Sequence, residues 1–303
     1  MGFAWSRGQY GHPFEEKVIP KIYILLPVHN RREITRRIIA CLQQQTFQNF
    51  HLVLIDDGST DGTTEMVRER ISSLTILQGR GDWWWGGSLH QGYLWLKSQQ
   101  LDASSIVLMI NDDAVFDADY LQTAIAILQG RQRTLLISHA YGEASRKLFD
   151  GGIHADWKTL KFRLETNPAR INCASTRGLF LYVSDFLNIG GFYPRLLPHY
   201  ASDYEFTVRA YHKGYTLIAD ERLKLYSNES ATGITHFRNE KSYRDFLKHL
   251  FSKKYALHPV YYSSFILLAC PWPWKIFHLM IFWTSTLWKM IKYFVFLVIL
   301  KNR

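Results

Sequence analysis

Ile106-Val107-Leu108-Met109-Ile110-Asn111-Asp112-Asp113-Ala114 (IVLMINDDA) runs five apolar residues straight into an amide and two adjacent carboxylates. The apolar run reads as a strand buried on both faces, and in an open α/β sheet the end of such a strand is where a ligand is met. Adjacent ionised carboxylates repel each other. They are relieved by a hard divalent cation, which in turn binds phosphate. A polar strand end followed by a plain turn has the same local signature, so the flanking segments decide between the two readings.

Upstream, Lys21–Pro27 (KIYILLP) is a second short apolar strand, and Val28-His29-Asn30 forms a loop at its end. Arg31–Gln45 follows with Ile34, Ile38, Ile39 and Leu42 at helical spacing. His51–Ile55 is a strand that stops at the turn formers Asp56–Gly62, and a helix is expected from Thr63 to Ser72, then a strand at Leu74–Leu77. Strands alternating with helices imply right-handed βαβ units and a mostly parallel sheet whose loops gather along one edge. Downstream, Asp117–Leu128 reads as a helix, and from Leu135 to about Ile171 the pattern loosens into short strands, a smaller mixed sheet covering the ligand.

The bulk numbers agree with a large folded chain. At 303 residues and 47% hydrophobic content it can bury a full core, which excludes disorder. A formal charge of +10 calls for an acidic partner. Lys and Arg crowd the final third beside very apolar sequence, which points to a membrane face and away from nucleic acid. Cys41, Cys173 and Cys270 share no metal-ligand spacing and fit reduced thiols, and Met1–Pro20 lacks the form of a signal peptide.

Two further segments carry candidate chemistry. In Gly79–Gly92 (GRGDWWWGGSLHQG), Gly86, Gly87 and Gly92 allow close backbone approach, and a helix expected to start near Ser88 would aim free N–H groups at a phosphate. The three Trp residues are either a packed wall beside the sheet or a stacking surface for a base or sugar ring. Asp203 lies at the start of a helix in HYASDYEF, where it is either an N-cap or an available base.

Five motifs thus stand in order: LLPVHNR at 25–31; QTF at 45–47 followed by LVLIDDGSTDGT at 52–63; WWWGGSLHQG at 83–92; LMINDDA at 108–114; and GGF at 190–192 followed by SDYEFTVRAYHKGY at 202–215. Together they resemble the bacterial family 2 glycosyltransferases, which share the nucleotide-sugar-binding α/β fold called GT-A. The resemblance covers about Ile22 to Ala219, and LPHYASDYEF looks closest to the polysaccharide and rhamnan-building (rhamnosyltransferase-like) branch. It implies that Pro27 and His29 line the nucleotide pocket and that Asp57 bonds the base. Asp112 would contact the ribose or a metal-bound water, and Asp113 would ligate Mn²⁺ or Mg²⁺ on the diphosphate. His236 is a further metal or diphosphate candidate. Asp203 would be the general base of an inverting transfer. From the residues themselves, Trp84, Trp85, Gly86 and Gly87 are candidates around the sugar, and Glu205, two residues beyond Asp203, either supports the acceptor or caps the helix start with its charge. The motif departs from the simple D-x-D pattern, since its first acid is Asn111.

The expected organisation is an arm at 1–20, a catalytic domain at 21–236 (nucleotide half to about 130, acceptor half from about 131) and a helical tail at 237–303. Asn239–Leu257 reads as a basic amphipathic helix, and Ile276–Leu300 is long enough to span a bilayer. Yet His278, Ser285, Lys289 and Lys292 fall on one helical face, which fits a helix lying in the membrane interface better; burial in the core or in a dimer stays open. The resemblance then implies a UDP- or dTDP-sugar donor and a glycan or polyprenyl-diphosphate-linked acceptor in surface polysaccharide synthesis; the apolar, basic tail adds peripheral or monotopic attachment at the cytoplasmic side of the cell membrane. The rivals are a nucleotidyltransferase, for which PVHNRRE is a poor triphosphate loop, and a catalytically silent sugar-nucleotide or glycan-binding assembly factor.

Overall fold

The computed structural model describes residues 20–229 and 242–301, with side chains described up to 295. The first half alternates as expected: β1 (Ile22–Val28), α1 (Arg32–Gln43), β2 (Phe50–Asp56), α2 (Thr63–Arg68), β3 (Leu74–Gln78), α3 (Trp84–Ser98), β4 (Ile106–Met109), α4 (Tyr120–Leu128) and β5 (Thr134–Gly142). Short strands β6 (Leu148–Asp150), β7 (Gly152–Asp156), β8 (Lys161–Leu164) and β9 (Cys173–Ala174) follow. Then come β10 (Leu179–Tyr182), α5 (Val183–Ile189), α6 (Ser202–His212) and β11 (Thr216–Ser227).

The main sheet has the order β11-β5-β10-β4-β1-β2-β3. β1 is parallel to both β2 and β4, whereas β10 runs antiparallel between β4 and β5. The chain therefore leaves β1 towards β2 and β3 and returns on its other side at β4, so the carboxyl ends of β1 and β4 flank a topological switch point. The pleat explains the two layers. Ile22, Ile24 and Leu26 of β1 pack with Ile38, Ile39 and Leu42 of α1 on one face, and Leu25 packs with Leu89 and Leu96 of α3 on the other. β8-β7-β9 form a separate small sheet, as the looser sequence pattern suggested.

One boundary moves enough to matter. α3 begins at Trp84 and not near Ser88, because the carboxylate of Asp57 accepts the N–H groups of Gly81, Asp82, Trp83 and Trp84. The helix is capped from a loop 27 residues away, a contact that no local sequence window contains.

The tail comprises α7 (Tyr243–Leu250), α8 (Pro259–Ala269) and α9 (Trp274–Lys301). The amphipathic stretch that reads as one helix to Leu257 thus ends at Leu250. α8 packs on α6, and its Phe265 sits 5.9 Å from Phe162 of β8. α7 packs on α9 through the stacked rings of Phe246 and Tyr293. The polar stripe expected on α9 is divided. His278 is buried and bonds the carbonyl of Trp157 at 2.7 Å, while Ser285, Lys289 and Lys292 are exposed. Large apolar residues are exposed as well: Ile276, Phe277, Met280, Ile281, Leu287, Trp288, Ile291, Phe294 and Val295. Among the described residues no helix is long and apolar enough to cross a membrane.

Candidate active site

A cavity of about 840 Å³ opens at the switch point. The β1 end supplies Pro27, Val28, His29 and Arg31, and the β4 end supplies Asn111, Asp112 and Asp113. Arg31 joins the two loops by an ion pair to Asp112 at 2.9 Å. Asp57, Trp84, Trp85 and Ser88 form a second wall, and Asp203, Tyr204, His199 and Tyr200 a third. The far end is apolar, built from Ile153, Phe162 and Leu164 of the small sheet and from Leu257, Tyr262 and Phe265 around α8. The tail read as a separate appendage therefore completes the cavity.

The carboxylate pair is set up for a cation. Asp112 Oδ2 and Asp113 Oδ1 are buried and have no hydrogen-bond partner. Burial pushes the Asp112 carboxyl up to about 7; Arg31 opposes the rise and Asp113 adds to it. Among the described residues no group of three or more His, Cys, Asp and Glu converges as a metal cage. Mg²⁺-type ions need no such cage, because one or two carboxylates suffice when water and substrate phosphate supply the rest, so the pair fits Mn²⁺ or Mg²⁺ on a diphosphate. His236 lies outside the described residues.

Asp203 occupies the first turn of α6, where its Oδ1 accepts the N–H of Tyr204 at 2.9 Å. Its pKa is raised to about 6, first by burial and then by Asp150, while that backbone bond and Arg177 pull it down. A carboxylate so placed is a base that is ionised at neutral pH and more basic than an exposed one. The residue before the helix, Ala201, is held at φ +60, and Trp84 at the opposite wall has φ +58. Left-handed backbone at non-glycine residues stores strain, and such residues concentrate at sites whose surroundings fix them.

Three sequence-predicted positions take other roles. Gly86 sits in the first turn of α3, where its N–H donates to Pro198 O at 2.9 Å, and a Cβ would lie 2.5 Å from Leu197 O. The close approach read for this glycine is real, but its partner is the loop leading to Asp203. Because Asp57 and Pro198 take these N–H groups, the helix start is not the open phosphate cradle that the glycines suggested. Gly87 faces Trp83 and Pro194, away from the cavity lining. Glu205 is buried in a bidentate ion pair with Arg209, at 2.8 and 3.1 Å, and Arg209 also donates to the carbonyls of Ile189 and Gly191. Glu205 therefore anchors α6 to the Gly190-Gly191 turn and does not line the cavity.

Pro27, His29, Asp57, Trp84, Trp85, Asp112, Asp113 and Asp203 do converge on the one cavity. Asp57 reaches it with both oxygens already engaged by four N–H groups. His29 bonds the Asp57 carbonyl at 2.6 Å. Trp85 donates to Thr176 at 3.1 Å, and Trp84 lies against His199 and beneath Lys253. Sequence reasoning missed Arg31, Asp150, Arg177 and His199. Arg177 had a usable signal, a cation directly before the buried run Leu179–Tyr182 and hence at a strand end. The His199 ring, buried and near Lys254, is held neutral with its pKa lowered to about 4.

Comparison with known proteins adds the family. The profile described as Glycosyl transferase family 2 matches residues 23–185. The chain is similar to chondroitin synthase of Escherichia coli, 35% identical over 66 residues that make up 22% of this chain and 10% of that protein. It is also similar to an uncharacterized glycosyltransferase of Haemophilus influenzae, 43% identical over 54 residues, 18% of this chain and 21% of that one. These alignments span only a tenth and a fifth of the curated relatives' lengths. In fold the chain is similar to a mannosyltransferase of Pyrobaculum calidifontis in complex with GDP-Man and Mn²⁺ (TM-score 0.57, 15% identity, 84% of this chain, 67% of that one). It is similar too to GalNAc-T7 with UDP, GalNAc and Mn²⁺ (TM-score 0.55, 11% identity, 77% of this chain, 50% of that one).

Proposed function

The chain belongs to glycosyl transferase family 2, and on that premise we propose that it is an inverting transferase moving one sugar from a nucleoside-diphosphate donor, UDP- or dTDP-linked, to an acceptor hydroxyl. The observation that carries this reading is the convergence of the β1 loop, Asp112-Asp113 and Asp203 on one cavity at the switch point. The donor's nucleotide lies along Pro27, His29 and the Asp57 loop, with its diphosphate at Asp113. Asp113, with Asp112 beside it, would hold a divalent cation, which would neutralise charge on the diphosphate. Asp203 takes the acceptor proton as the hydroxyl oxygen attacks the anomeric carbon opposite the leaving group, and this displacement inverts the configuration. General-base help of this kind is worth about 10²–10⁴-fold.

The apolar end of the cavity supports an acceptor that offers a ring or hydrocarbon surface, as a glycan or a lipid-linked sugar does. The exposed apolar face of α9 supports attachment in the plane of a membrane, on the cytoplasmic side as the lipid-linked acceptor requires. Met280 and Trp288 are each 58% exposed, Lys292 lies 5.4 Å over the Trp288 ring, and Lys275 and Lys289 suit anionic headgroups. Flotation with phosphatidylglycerol vesicles, and loss of flotation in Trp288→Ser/Ile291→Ser, is the expected result; wild type that does not float with vesicles, or a variant that floats equally well, would sink the attachment.

The central test is a thermal-shift screen of UDP-, dTDP- and GDP-sugars with Mn²⁺, since a ligand stabilises in proportion to its occupancy. Against the best donor, Asp203→Asn should abolish transfer while leaving donor binding nearly intact, and EDTA or Asp113→Ala should weaken donor binding. Unchanged turnover in Asp203→Asn removes the base; binding indifferent to both EDTA and Asp113→Ala removes the cation.

A further inference from the structure

Arg177 stands where the two ends of the cavity meet. β10 runs antiparallel to β4 with Leu179 opposite Met109, so the residues just before β10 lie beside those just after β4. Gly178 fixes the launch point. At φ +76 its N–H donates to Met109 O at 3.0 Å, and a Cβ there would meet Leu225, Ser138 and Tyr120 at 2.6–2.7 Å.

The guanidinium is only 10% exposed, lines the cavity and is held from behind. Its Nε donates to Asp150 Oδ2 at 3.3 Å, one NH1 proton goes to Ser227 Oγ at 2.8 Å, and its plane lies 5.2 Å from the Phe149 ring. Ser175 Oγ also donates to Asp150 Oδ2, at 2.8 Å, so the anchor is itself fixed. Towards the donor side the same NH1 lies 4.0 Å from Asp113 Oδ1, beyond hydrogen-bond reach, and that oxygen is the buried one without a partner. A cation has thus been brought beside Asp113 without being bonded to it.

Asp112, Asp113, Asp150 and Asp203 line one cavity, and an incoming diphosphate adds more negative charge. Arg31 is already bonded to Asp112 at 2.9 Å. A guanidinium presents five donors in a planar fork that matches phosphate oxygens, and Arg177 has the geometry to keep Asp150 while turning the rest towards a phosphate.

We propose that Arg177 is a catalytic residue for the leaving group, donating to a diphosphate oxygen as the sugar–oxygen bond breaks. This rests on the glycosyl-transfer reading above. The electron pair of the breaking bond stays on the phosphate oxygen, the new bond forms from the acceptor oxygen, and the acceptor proton goes to Asp203. Arg177 remains protonated throughout. Asp150 is the positioning residue that holds it.

The experiment compares wild type, Arg177→Gln, Arg177→Lys and Asp150→Asn for binding of UDP, dTDP, uridine and thymidine with Mn²⁺ by calorimetry, and for kcat with the best donor. Arg177→Gln should lose about tenfold or more in nucleoside-diphosphate affinity and about 10²–10³-fold in kcat, with nucleoside affinity unchanged. Arg177→Lys, which keeps the stem and the charge, should fall between; it also carries the test if the Gln variant fails to fold. Asp150→Asn should weaken diphosphate binding less than Arg177→Gln. Equal loss of nucleoside and nucleoside-diphosphate binding would show a structural role, and unchanged binding and kcat in both Arg177 variants would show none; either overturns the inference alone. Wild type that binds neither UDP nor dTDP overturns the transfer reading and this inference with it.

Discussion

Gly86→Ala is the sharpest probe of how the base helix is held. The added methyl would stand 2.5 Å from Leu197 O and 3.0 Å from Ser202 Cβ. Non-bonded atoms pack at about 3.5 Å, so the overlap is roughly an ångström against a backbone oxygen that has no rotamer to escape into. Alanine in a first helical turn gains about 1 kcal/mol in helix propensity over glycine. Overpacking of this size costs about 1–3 kcal/mol, so the clash wins and α3 and the 197–202 loop must part. A net loss of about 0–2 kcal/mol lowers the melting temperature by a few degrees in a chain of this length.

Activity should suffer far more. The displaced loop carries Ala201 and leads directly into Asp203, and misplacing a reacting group by about 1 Å can lower the rate about 10²-fold. The assay is kcat, with the best donor from the screen, beside a melting curve. Gly87→Ala is the control, because its Cβ would meet only Trp83 Cβ at 3.2 Å and Pro194 Cβ at 3.6 Å, and its kcat should change little. A Gly86→Ala enzyme with wild-type kcat, or an equal fall in Gly87→Ala, would refute the coupling between α3 and the base.

Asp57→Asn should destabilise the fold by about 3–6 kcal/mol, because an amide leaves two of the four N–H groups at 81–84 facing another donor, each bond to a charged group being worth about 1.5–3 kcal/mol. Urea unfolding measures this; unchanged stability with a raised donor KM would instead make Asp57 a base contact only. The pH–kcat profile should rise with unit slope to a half-maximum near pH 6, where Asp203 ionises, and a plateau reached by pH 5 would exclude it as the base. Because its folded pKa lies above the ordinary 3.8, the native state holds the extra proton between those values and stability falls as pH rises through that window. Asp203→Asn should therefore melt higher than wild type at pH 8 and equally at pH 3. Glu205→Gln strands the Arg209 charge and should cost about 3–5 kcal/mol by urea unfolding, with little specific effect on acceptor KM.

The parallel half of the fold was legible because each strand there is a short apolar run with helical periodicity after it, and those runs place Pro27, Asp57 and Asp112-Asp113 at one edge without further information. Asp203 was legible through its helix start. What the sequence hid are contacts between distant segments. Nothing local ties Asp57 to residues 81–84, Gly86 to Leu197, or Glu205 to the Gly190-Gly191 turn. Each of these converts an apparent ligand contact into a protein contact. α9 is a different case: of the one-face set His278, Ser285, Lys289 and Lys292 only His278 meets the protein, and the other three share solvent with the large apolar residues. Periodicity reports which residues share a helix face, not how far along the helix a packing partner covers it.

These hidden contacts join into one path. Asp57 caps α3 through Trp83 and Trp84; Gly86, one turn in, binds Pro198 O; and from Pro198 the chain passes through strained Ala201 to Asp203. The Asp57 loop and the helix that carries Asp203 are thus held in register by the Asp57 carboxylate and by a backbone hydrogen bond at Gly86, where a Cβ would clash with Leu197 O. On the proposed reading, the residue at 86 must be small to keep Asp203 in place, and the carboxylate at 57 serves the site through the four N–H groups it holds. The Trp-Trp-Trp-Gly-Gly segment reads most simply as the beam between donor loop and base, with Trp84 the member of the triplet that faces both the cavity and His199.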